Sequence, residues 1–321
     1  MKYSVIIPVY NRPEELEALL GSLKMDDSEV IVVEDGSSKS SRSVVEKYPG
    51  VLYFEKENGG PGPARNFGAA KAGGDWLVFL DSDVVVPESY GNAVGKALEG
   101  FEGAAWGGPD AASDDFSPLQ KAINYSMTSF LTTGGIRGGK KKITKFFPRS
   151  FNMGIRRDVF EKLGGFAPMR FGEDVDLSMR IHEAGYACSL FPDAFVYHKR
   201  RVDFRKFFRQ VFHSGEARVA LSRRHPGSLR AVHLLPAAFA AGCAVLLLAA
   251  ALCRSAAPLA PLALYALLVF ADALRASKSP RVALLAVPAA FVQLCGYGSG
   301  YISALFKKEG KENIDNEKFY G

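Results

Sequence analysis

The sequence predicts an α/β domain, in which a mostly parallel sheet lies between helices, followed by C-terminal transmembrane helices. Strand-like and helical segments alternate over the first 80 residues, and a polar cluster follows each strand-like segment. Further along the chain, three long runs contain no charged residue. The alternation predicts the sheet, and the uncharged runs predict the membrane region.

The alternating segments differ in composition. Four are apolar, with many β-branched or aromatic residues, and cover residues 3–9, 29–33, 51–54 and 76–80. The three segments between them favour helices and cover residues 13–24, 40–47 and 64–72. The first helix has Pro13 in its first turn and leucines along one face. Strands and helices that alternate at this spacing are typical of a parallel sheet covered by helices on both faces.

The pattern weakens over residues 103–151, where glycine pairs and three consecutive lysines indicate a loop. A helical pattern returns over residues 160–184, and residues 187–191 and 194–197 predict two closing strands. We therefore expect the α/β domain to cover residues 1–200.

The uncharged runs cover residues 234–253, 255–271 and 282–306. A membrane-spanning helix needs roughly 20 mainly apolar residues, so the first and third runs are long enough and the second is borderline. A helical core domain is the alternative, but its helices would carry polar faces, and these runs are apolar all round. We expect two to three spans within residues 231–306.

Charge orients the first span. Residues 198–230 contain ten Lys or Arg and two acidic residues, in a chain whose net charge is +6. Cations beside a span stay in the cytoplasm, which places the α/β domain on the cytoplasmic face of the inner membrane. Aromatic residues among the cations of residues 204–220 predict an amphipathic helix within a basic interfacial region at 201–230, although a surface helix of the α/β domain is the alternative. Anionic lipid is a simpler partner for these cations than nucleic acid.

The two ends of the chain give weaker indications of how it lies in the membrane. The N-terminal apolar stretch is too short for a signal peptide, because Pro8 and a polar loop interrupt it. Three spans would place residues 307–321 outside, but this polar tail begins with Lys307 and Lys308, so the span count stays open. The four cysteines show no metal-ligand spacing, which indicates a reduced, structural role.

Polar clusters lie at the carboxyl ends of the predicted strands, where parallel sheets bind ligands. The clusters are Tyr10-Asn11-Arg12, Glu34-Asp35-Gly36-Ser37, Asn58-Gly59-Gly60 and Asp81-Ser82-Asp83. Two carboxylates at i and i+2 after a buried strand can face one hard cation, although a plain polar turn is the alternative. A carboxylate at position 35 can accept hydrogen bonds from a ribose hydroxyl or a base N–H.

Two further motifs carry chemistry. The glycine-rich stretch at 58–66 runs into a helix, whose N-terminus attracts anions, but it lacks the Walker and dinucleotide fingerprints. Residues 172–177 open a helix with three carboxylates, which is more than helix capping requires. One of these carboxylates can act as a general base if it faces the cleft.

Together these motifs resemble the family 2 glycosyltransferases with the GT-A fold. The resemblance covers residues 3–215 and includes, beyond the clusters above, Asn152-Met153-Gly154, Gly164-Gly165-Phe166 and the stretch at 172–180. It implies an inverting transfer of a sugar from a nucleotide-diphospho-sugar donor, with Mg²⁺ or Mn²⁺ as the cofactor.

The resemblance also implies a role for each matching residue. The donor-binding residues would be Pro8, Tyr10, Arg12, Asp35, Asn58, Arg65 and Asp81. Asp83 would bind the metal ion that bridges the diphosphate, and His198 matches a position where some relatives place a further metal contact, with a structural histidine as the alternative. Asp174 would be the general base that deprotonates the acceptor hydroxyl, with Glu173 beside it.

One departure from the family is informative. Processive synthases carry a Gln/Arg-x-x-Arg-Trp motif, which is absent here because the chain's two tryptophans are Trp76 and Trp106. This favours the addition of one sugar per acceptor. The membrane region suits a lipid-linked acceptor but also suits a mere anchor, and the donor base, the sugar and the oligomeric state stay open. A non-catalytic, membrane-tethered sugar-nucleotide-binding protein is the alternative function, whereas a nucleotidyltransferase would need an N-terminal phosphate loop that the chain lacks.

Overall fold

A seven-stranded sheet organises the N-terminal part of the chain. The structure, a computed structural model, describes residues 3–111, 116–134, 145–198 and 203–307, and these form two units. The first unit contains residues 3–111 and 145–198, and the second contains residues 116–134 and 203–307. Residues 116–134 thus interrupt the first unit in sequence but belong to the second.

The strands all lie in the first unit. They are β1 Tyr3–Val9, β2 Ser28–Asp35, β3 Val51–Lys56, β4 Trp76–Leu80, β5 Val84–Val85, β6 Ala105–Gly107, β7 Asp110–Ala111, β8 Asn152–Arg156, β9 Cys188–Leu190 and β10 Val196–His198. The helices of this unit are α1 Pro13–Ser22, α2 Arg42–Val45, α3 Pro61–Ala69, α4 Tyr90–Leu98, α7 Arg157–Lys162 and α8 Glu173–Glu183. The helices of the second unit are α5 Pro118–Thr128, α6 Phe130–Thr133, α9 Phe204–Arg224, α10 Leu235–Cys253, α11 Ala260–Ser277 and α12 Pro280–Phe306.

The large sheet has the strand order β3-β2-β1-β4-β8-β6-β9, and β8 runs antiparallel to both of its neighbours. The strands β1 to β4 are mutually parallel, with Ile6 opposite both Ile31 and Phe79. This confirms the predicted α/β architecture with a mostly parallel sheet. A small second sheet has the order β5-β10-β7.

Helices cover both faces of the large sheet. On one face, Val5 and Ile7 of β1 belong to an apolar cluster with Leu16 and Leu19 of α1. On the other face, Ile6 packs beneath α3, so closely that a Cβ on Gly68 would lie 2.6 Å from the Ile6 Cγ2 atom. Because β1 pairs with β2 on one side and β4 on the other, the chain order reverses at β1. Ligands of such sheets bind beyond the carboxyl ends of the strands at this reversal.

Helix α12 organises the second unit, since α5, α9, α10 and α11 all pack against it. Glycines allow the closest approach: a Cβ on Gly300 would lie 1.9 Å from the Phe212 carbonyl oxygen of α9. A Cβ on Gly215 of α9 would lie 2.1 Å from the Tyr297 carbonyl oxygen of α12. Small residues of this kind let helix backbones come together in apolar surroundings.

Three helical segments are long and apolar enough to cross a membrane, among the residues that the structure describes. They are Ala231–Cys253, Ala257–Ser277 and Pro280–Phe306, which contain α10, α11 and α12 in that order. They match the three uncharged runs of the sequence, and they suggest membrane association.

Two elements differ from the sequence expectations. The helical pattern over residues 160–184 is split into α7 and α8, because Gly164 and Gly165 adopt φ values of 75° and 69° that end the first helix. The weakly patterned stretch contains α5, whose N-terminus is closed by a capping box in which Ser117 and Gln120 bond reciprocally.

Candidate functional site

Two arginines neutralise the aspartates that follow β4. Arg12, just after β1, forms an ion pair with Asp83, and Arg65 of α3 forms an ion pair with Asp81. The Arg65 Nη2 and Asp81 Oδ1 atoms are 2.6 Å apart. The Asp81 side chain is 30% exposed and that of Asp83 is 13% exposed, so both carboxylates remain partly accessible.

Arg65 also connects this turn to the start of α8. Its Nη1 atom donates to Glu173 Oε1 at 2.9 Å, while its guanidinium lies over the Phe166 ring at 5.5 Å. Burial alone would lower the pKa of Arg65, but the charges of Asp81 and Glu173 outweigh burial and raise that pKa. Arg65 therefore stays cationic and holds the two acidic segments together.

The two acidic residues that open α8 have opposite pKa shifts. Burial and the neighbouring Asp174 charge raise the pKa of Glu173 to about 7. Burial also acts to raise the pKa of Asp174, but the Arg149 guanidinium outweighs it and holds that pKa below its ordinary value. The Arg149 Nε atom donates to Asp174 Oδ2 at 2.6 Å. At neutral pH Asp174 is thus a carboxylate, and Glu173 titrates.

One face of α8 holds the segment that carries Arg149. Asp174, Ser178 and His182 follow one another at four-residue intervals, so they share this face. Ser178 Oγ donates to the Pro148 carbonyl oxygen at 2.8 Å, and His182 Nε2 lies 2.7 Å from the Phe146 carbonyl oxygen. Arg149 is not among the residues predicted from the sequence, and the four-residue spacing of polar residues on α8 is the one signal that points to its segment.

The third carboxylate of α8 does structural work instead. Asp176 is fully buried and pairs with Arg180 one turn later. Arg180 in turn donates to the carbonyl oxygens of Leu163 and Gly165, at 2.6 and 2.7 Å. Asp176 therefore braces the turn between α7 and α8.

Asp35 lies fully buried at the end of β2 and binds the glycine-rich loop. Its Oδ1 atom accepts from Lys56 Nζ at 2.6 Å and from the Gly59 amide at 3.0 Å, and its Oδ2 atom accepts from the Gly60 amide at 2.8 Å. Both polar atoms of the Asn58 amide are buried and lack a hydrogen-bond partner within the described ranges. Buried amides of this kind are usually satisfied by a ligand or water.

The remaining residues that the family resemblance implied are distributed as follows. Pro8 is buried within β1, and Tyr10 is half-buried directly after it. Glu34, beside Asp35, accepts from the Ser41 amide at 2.6 Å and from the Tyr53 hydroxyl at 3.1 Å, so it holds local structure. His198 ends β10, and its side chain lies outside the described residues.

The two carboxylates that follow β4, Asp81 and Asp83, suit a hard divalent cation that binds together with the phosphates of a substrate. In the described part of the chain, no group of three His, Cys, Asp or Glu side chains could hold a metal ion by itself. Mg²⁺ is typically held by one or two carboxylates together with substrate phosphates. The partly exposed oxygens of Asp83 and Asp81 fit that requirement.

A family model and several known proteins are similar to this chain. The model of Glycosyl transferase family 2 matches residues 4–164, which are half of the chain. YdaM, a probable glycosyltransferase of Bacillus subtilis (strain 168), is 29% identical over 227 residues, covering 65% of this chain and 53% of YdaM. The succinoglycan biosynthesis protein ExoA of Rhizobium meliloti (strain 1021) is 23% identical over 252 residues, covering 74% of each chain. The chain therefore spans about half the length of YdaM and three quarters of ExoA.

A solved structure shares the fold. The mannosyltransferase PcManGT from Pyrobaculum calidifontis, in complex with GDP-Man and Mn²⁺, superimposes with a TM-score of 0.62 at 22% identity. The superposition covers 90% of this chain and 86% of PcManGT. At this identity the likeness establishes the fold, and it confirms the predicted GT-A architecture.

Proposed function

The chain belongs to glycosyl transferase family 2, and from that premise we propose that it moves a sugar from a nucleotide-diphospho-sugar donor to an acceptor hydroxyl, inverting the anomeric carbon. The observation that carries the proposal is the double ion pair of Arg65. It joins the Asp81 turn, where the donor would bind, to the Glu173-Asp174 pair, where the acceptor would be activated.

The donor side follows from the ends of β1, β2 and β4. Asp35 fixes the loop of Gly59 and Gly60, so this loop, with the unpartnered Asn58 amide, would form a wall of the pocket for the base and ribose. Pro8, Tyr10 and Arg12 would complete this pocket, and Asp81 would steady the ribose or the sugar. Asp83 and the donor's phosphate oxygens would hold Mg²⁺ or Mn²⁺, which when bound offsets negative charge on the leaving diphosphate.

The acceptor side follows from α8. Asp174 is the proposed base, because the Arg149 pair keeps it ionised and oriented. It takes the proton of the acceptor hydroxyl as that oxygen bonds to the anomeric carbon, and the bond from the anomeric carbon to the diphosphate oxygen breaks. Glu173 has a raised pKa beside it and would hold Arg65 in place.

The membrane region supports a location as well as a function. The three apolar helical segments and the exposed cations of α9 favour a multi-pass protein in the inner membrane, with its α/β unit in the cytoplasm and anionic lipid beside α9. A lipid-linked acceptor in glycan, glycolipid or envelope polysaccharide synthesis fits this location. The names of ExoA and PcManGT, which concern succinoglycan synthesis and mannosyl transfer, support the same class of reaction.

A donor panel tests the proposal. The full chain in membranes would be given GDP-, UDP- and dTDP-sugars with Mn²⁺, and the release of nucleoside diphosphate would be measured. We expect one donor class to be turned over, and Asp174→Asn to abolish this turnover. Donor binding without any turnover would instead support the alternative, a non-catalytic sugar-nucleotide-binding protein.

A further inference from the structure

Helix α9 carries exposed cations at both of its ends. Arg205, Lys206 and Arg209 lie near its start, and Arg223 and Arg224 lie at its end. A helix rises 1.5 Å per residue, so these two groups are roughly 27 Å apart. Charged side chains in the hydrocarbon cost several kcal/mol each, which favours a helix lying along the membrane surface rather than across it.

The C-terminal half of α12 lies beside α9 and runs in the same direction. Near the start of the contact, a Cβ on Gly296 would lie 2.5 Å from Val211 Cγ2. Near its end, Arg223 Nη2 donates to the Ala304 carbonyl oxygen at 3.4 Å. The residue numbers rise together on both helices. Because the backbones almost touch, this half of α12 must lie within one helix-to-helix spacing, roughly 8–10 Å, of the depth of α9.

The first half of α12 also lies near the cytoplasmic surface. It begins directly after Arg275 and Lys278, and Arg281 lies in its first turn. Ala283 and Ala286 pack with Val269 and Ala273, which belong to the half of α11 that leads into this basic loop. Both halves of α12 are therefore held at the cytoplasmic side.

The contact of α12 with the first turn of α10 also lies on the cytoplasmic side. A Cβ on Gly298 would lie 2.2 Å from the carbonyl oxygen of Pro236, in the first turn of α10. The opposite end of α10 instead exposes apolar side chains, namely Val245, Leu247, Leu248 and Leu252. Helix α12 thus contacts the first half of α10, and on α11 it contacts Tyr265 as well as Val269 and Ala273.

Helix direction excludes the other arrangements. Suppose that α12 crossed the membrane from its basic, cytoplasmic start. Its contact with α9 would then place the end of α9 on the opposite side of the membrane, but α10, which follows α9, has to start on the cytoplasmic side. If α9 crossed the membrane as well, each of α10, α11 and α12 would cross in the direction opposite to the helix before it. Helix α12 would then run antiparallel to α9. The observed helices run in the same direction.

We propose that α9 and α12 lie side by side in the cytoplasmic interface of the membrane, that α10 and α11 are the two spans, and that Lys307 returns to the cytoplasmic side. Burial against four helices then accounts for part of the apolar composition of α12, and exposed side chains such as Leu284 face the lipid of the interface. The proposal rests on the proposed function only in placing the α/β unit in the cytoplasm.

Single-cysteine labelling of the full chain tests this topology. The four native cysteines would be replaced (Cys188→Ser, Cys243→Ala, Cys253→Ala and Cys295→Ala), and one cysteine would be introduced at a time. The three exposed positions are Glu99→Cys in the α/β unit, Ser255→Cys between α10 and α11, and Lys307→Cys after α12. A membrane-impermeant maleimide would be applied to intact cells and to permeabilised cells.

We expect Ser255→Cys to be labelled in intact cells, and Glu99→Cys and Lys307→Cys only after permeabilisation. Labelling of Lys307→Cys in intact cells, with Glu99→Cys protected, would show a third span and overturn the proposal. Labelling of all three positions on one side would overturn it too. Labelling of Glu99→Cys and Lys307→Cys in intact cells, with Ser255→Cys protected, would support two spans while contradicting the cytoplasmic placement in the proposed function.

Discussion

The Arg149 Nε atom lies 2.6 Å from Asp174 Oδ2, and this pair joins a loop residue to the first turn of α8. The Asp174 side chain is only 9% exposed, whereas 42% of the Arg149 side chain is accessible. Arg149 can therefore stabilise the ionised Asp174 and still meet solvent.

Removal of the Arg149 charge should shift the pH dependence of the reaction. Because Arg149 lowers the pKa of Asp174, Arg149→Gln should raise that pKa. A base must be deprotonated, so activity falls as the pH drops through its pKa. The acid limb of the kcat/KM profile should therefore move to higher pH in Arg149→Gln and move less in Arg149→Lys. An unmoved acid limb with a lower plateau would mean that Arg149 acts only through the fold.

Loss of the Asp83 carboxylate should remove metal-dependent turnover. If Asp83 holds the cation, Asp83→Ala should lower kcat about 100-fold, since a bound cation supplies several kcal/mol of charge stabilisation. The turnover rate of Asp83→Ala should also depend less on the Mn²⁺ concentration than that of the parent protein. Asp158→Ala is the matched control, because Asp158 forms an exposed ion pair with Arg156. Equal Mn²⁺ titrations for Asp83→Ala and the parent protein would contradict the assignment.

Neutralising Glu173 should stabilise the protein in alkaline buffer. The carboxyl group ionises near pH 4.5 in the unfolded chain but near 7 in the fold. The parent protein therefore loses stability relative to Glu173→Gln as the pH rises from 4.5 to 7, and the two are alike below 4.5. We expect the melting temperature of Glu173→Gln at pH 8 to be higher by about 5 °C in detergent. Glu161→Gln, at an exposed glutamate, should show no such pH-dependent gain.

Adding one methyl group between α9 and α12 should destabilise the second unit. A Cβ on Gly300 would lie 1.9 Å from the Phe212 carbonyl oxygen, so Gly300→Ala must push the helices apart. Overpacking of this kind costs about 1–3 kcal/mol. Gly242→Ala in α10 is the control, because a Cβ there would meet no atom within 4 Å. Thermal unfolding in detergent should separate the two variants, and equal melting temperatures would argue against this packing.

Much of the α/β unit could be predicted because its signals are local. Each parallel strand from β1 to β4 is a short apolar run that ends in a polar cluster, and the uncharged runs match the long apolar helices. The placement of Asp81 and Glu173 on one arginine could not be predicted from spacing, since 108 residues separate Arg65 from Glu173. Only the family resemblance brought these residues to one site.

The rest depends on contacts between distant residues. Helix α5 has a mixed face whose Ala122 finds its apolar partners on α11 and α12, so its periodicity alone was weak. Arg149 stands among other cations and shows no local signature. Its position follows from Ser178 and His182, which bind the backbone on its N-terminal side.

The packing of α5 on α12 also has a consequence for the order of synthesis. Ala122 meets Ala283 and Ala286, which leave the ribosome more than 150 residues later. At about 5–20 residues per second, α5 waits roughly 8 to 30 seconds for its partner. During that interval its apolar face needs another cover, such as the surface of the membrane. Helix α5 should therefore reach its final packing only after α12 has been synthesised, whereas β8, which follows α5 closely in the chain, can join the sheet much earlier.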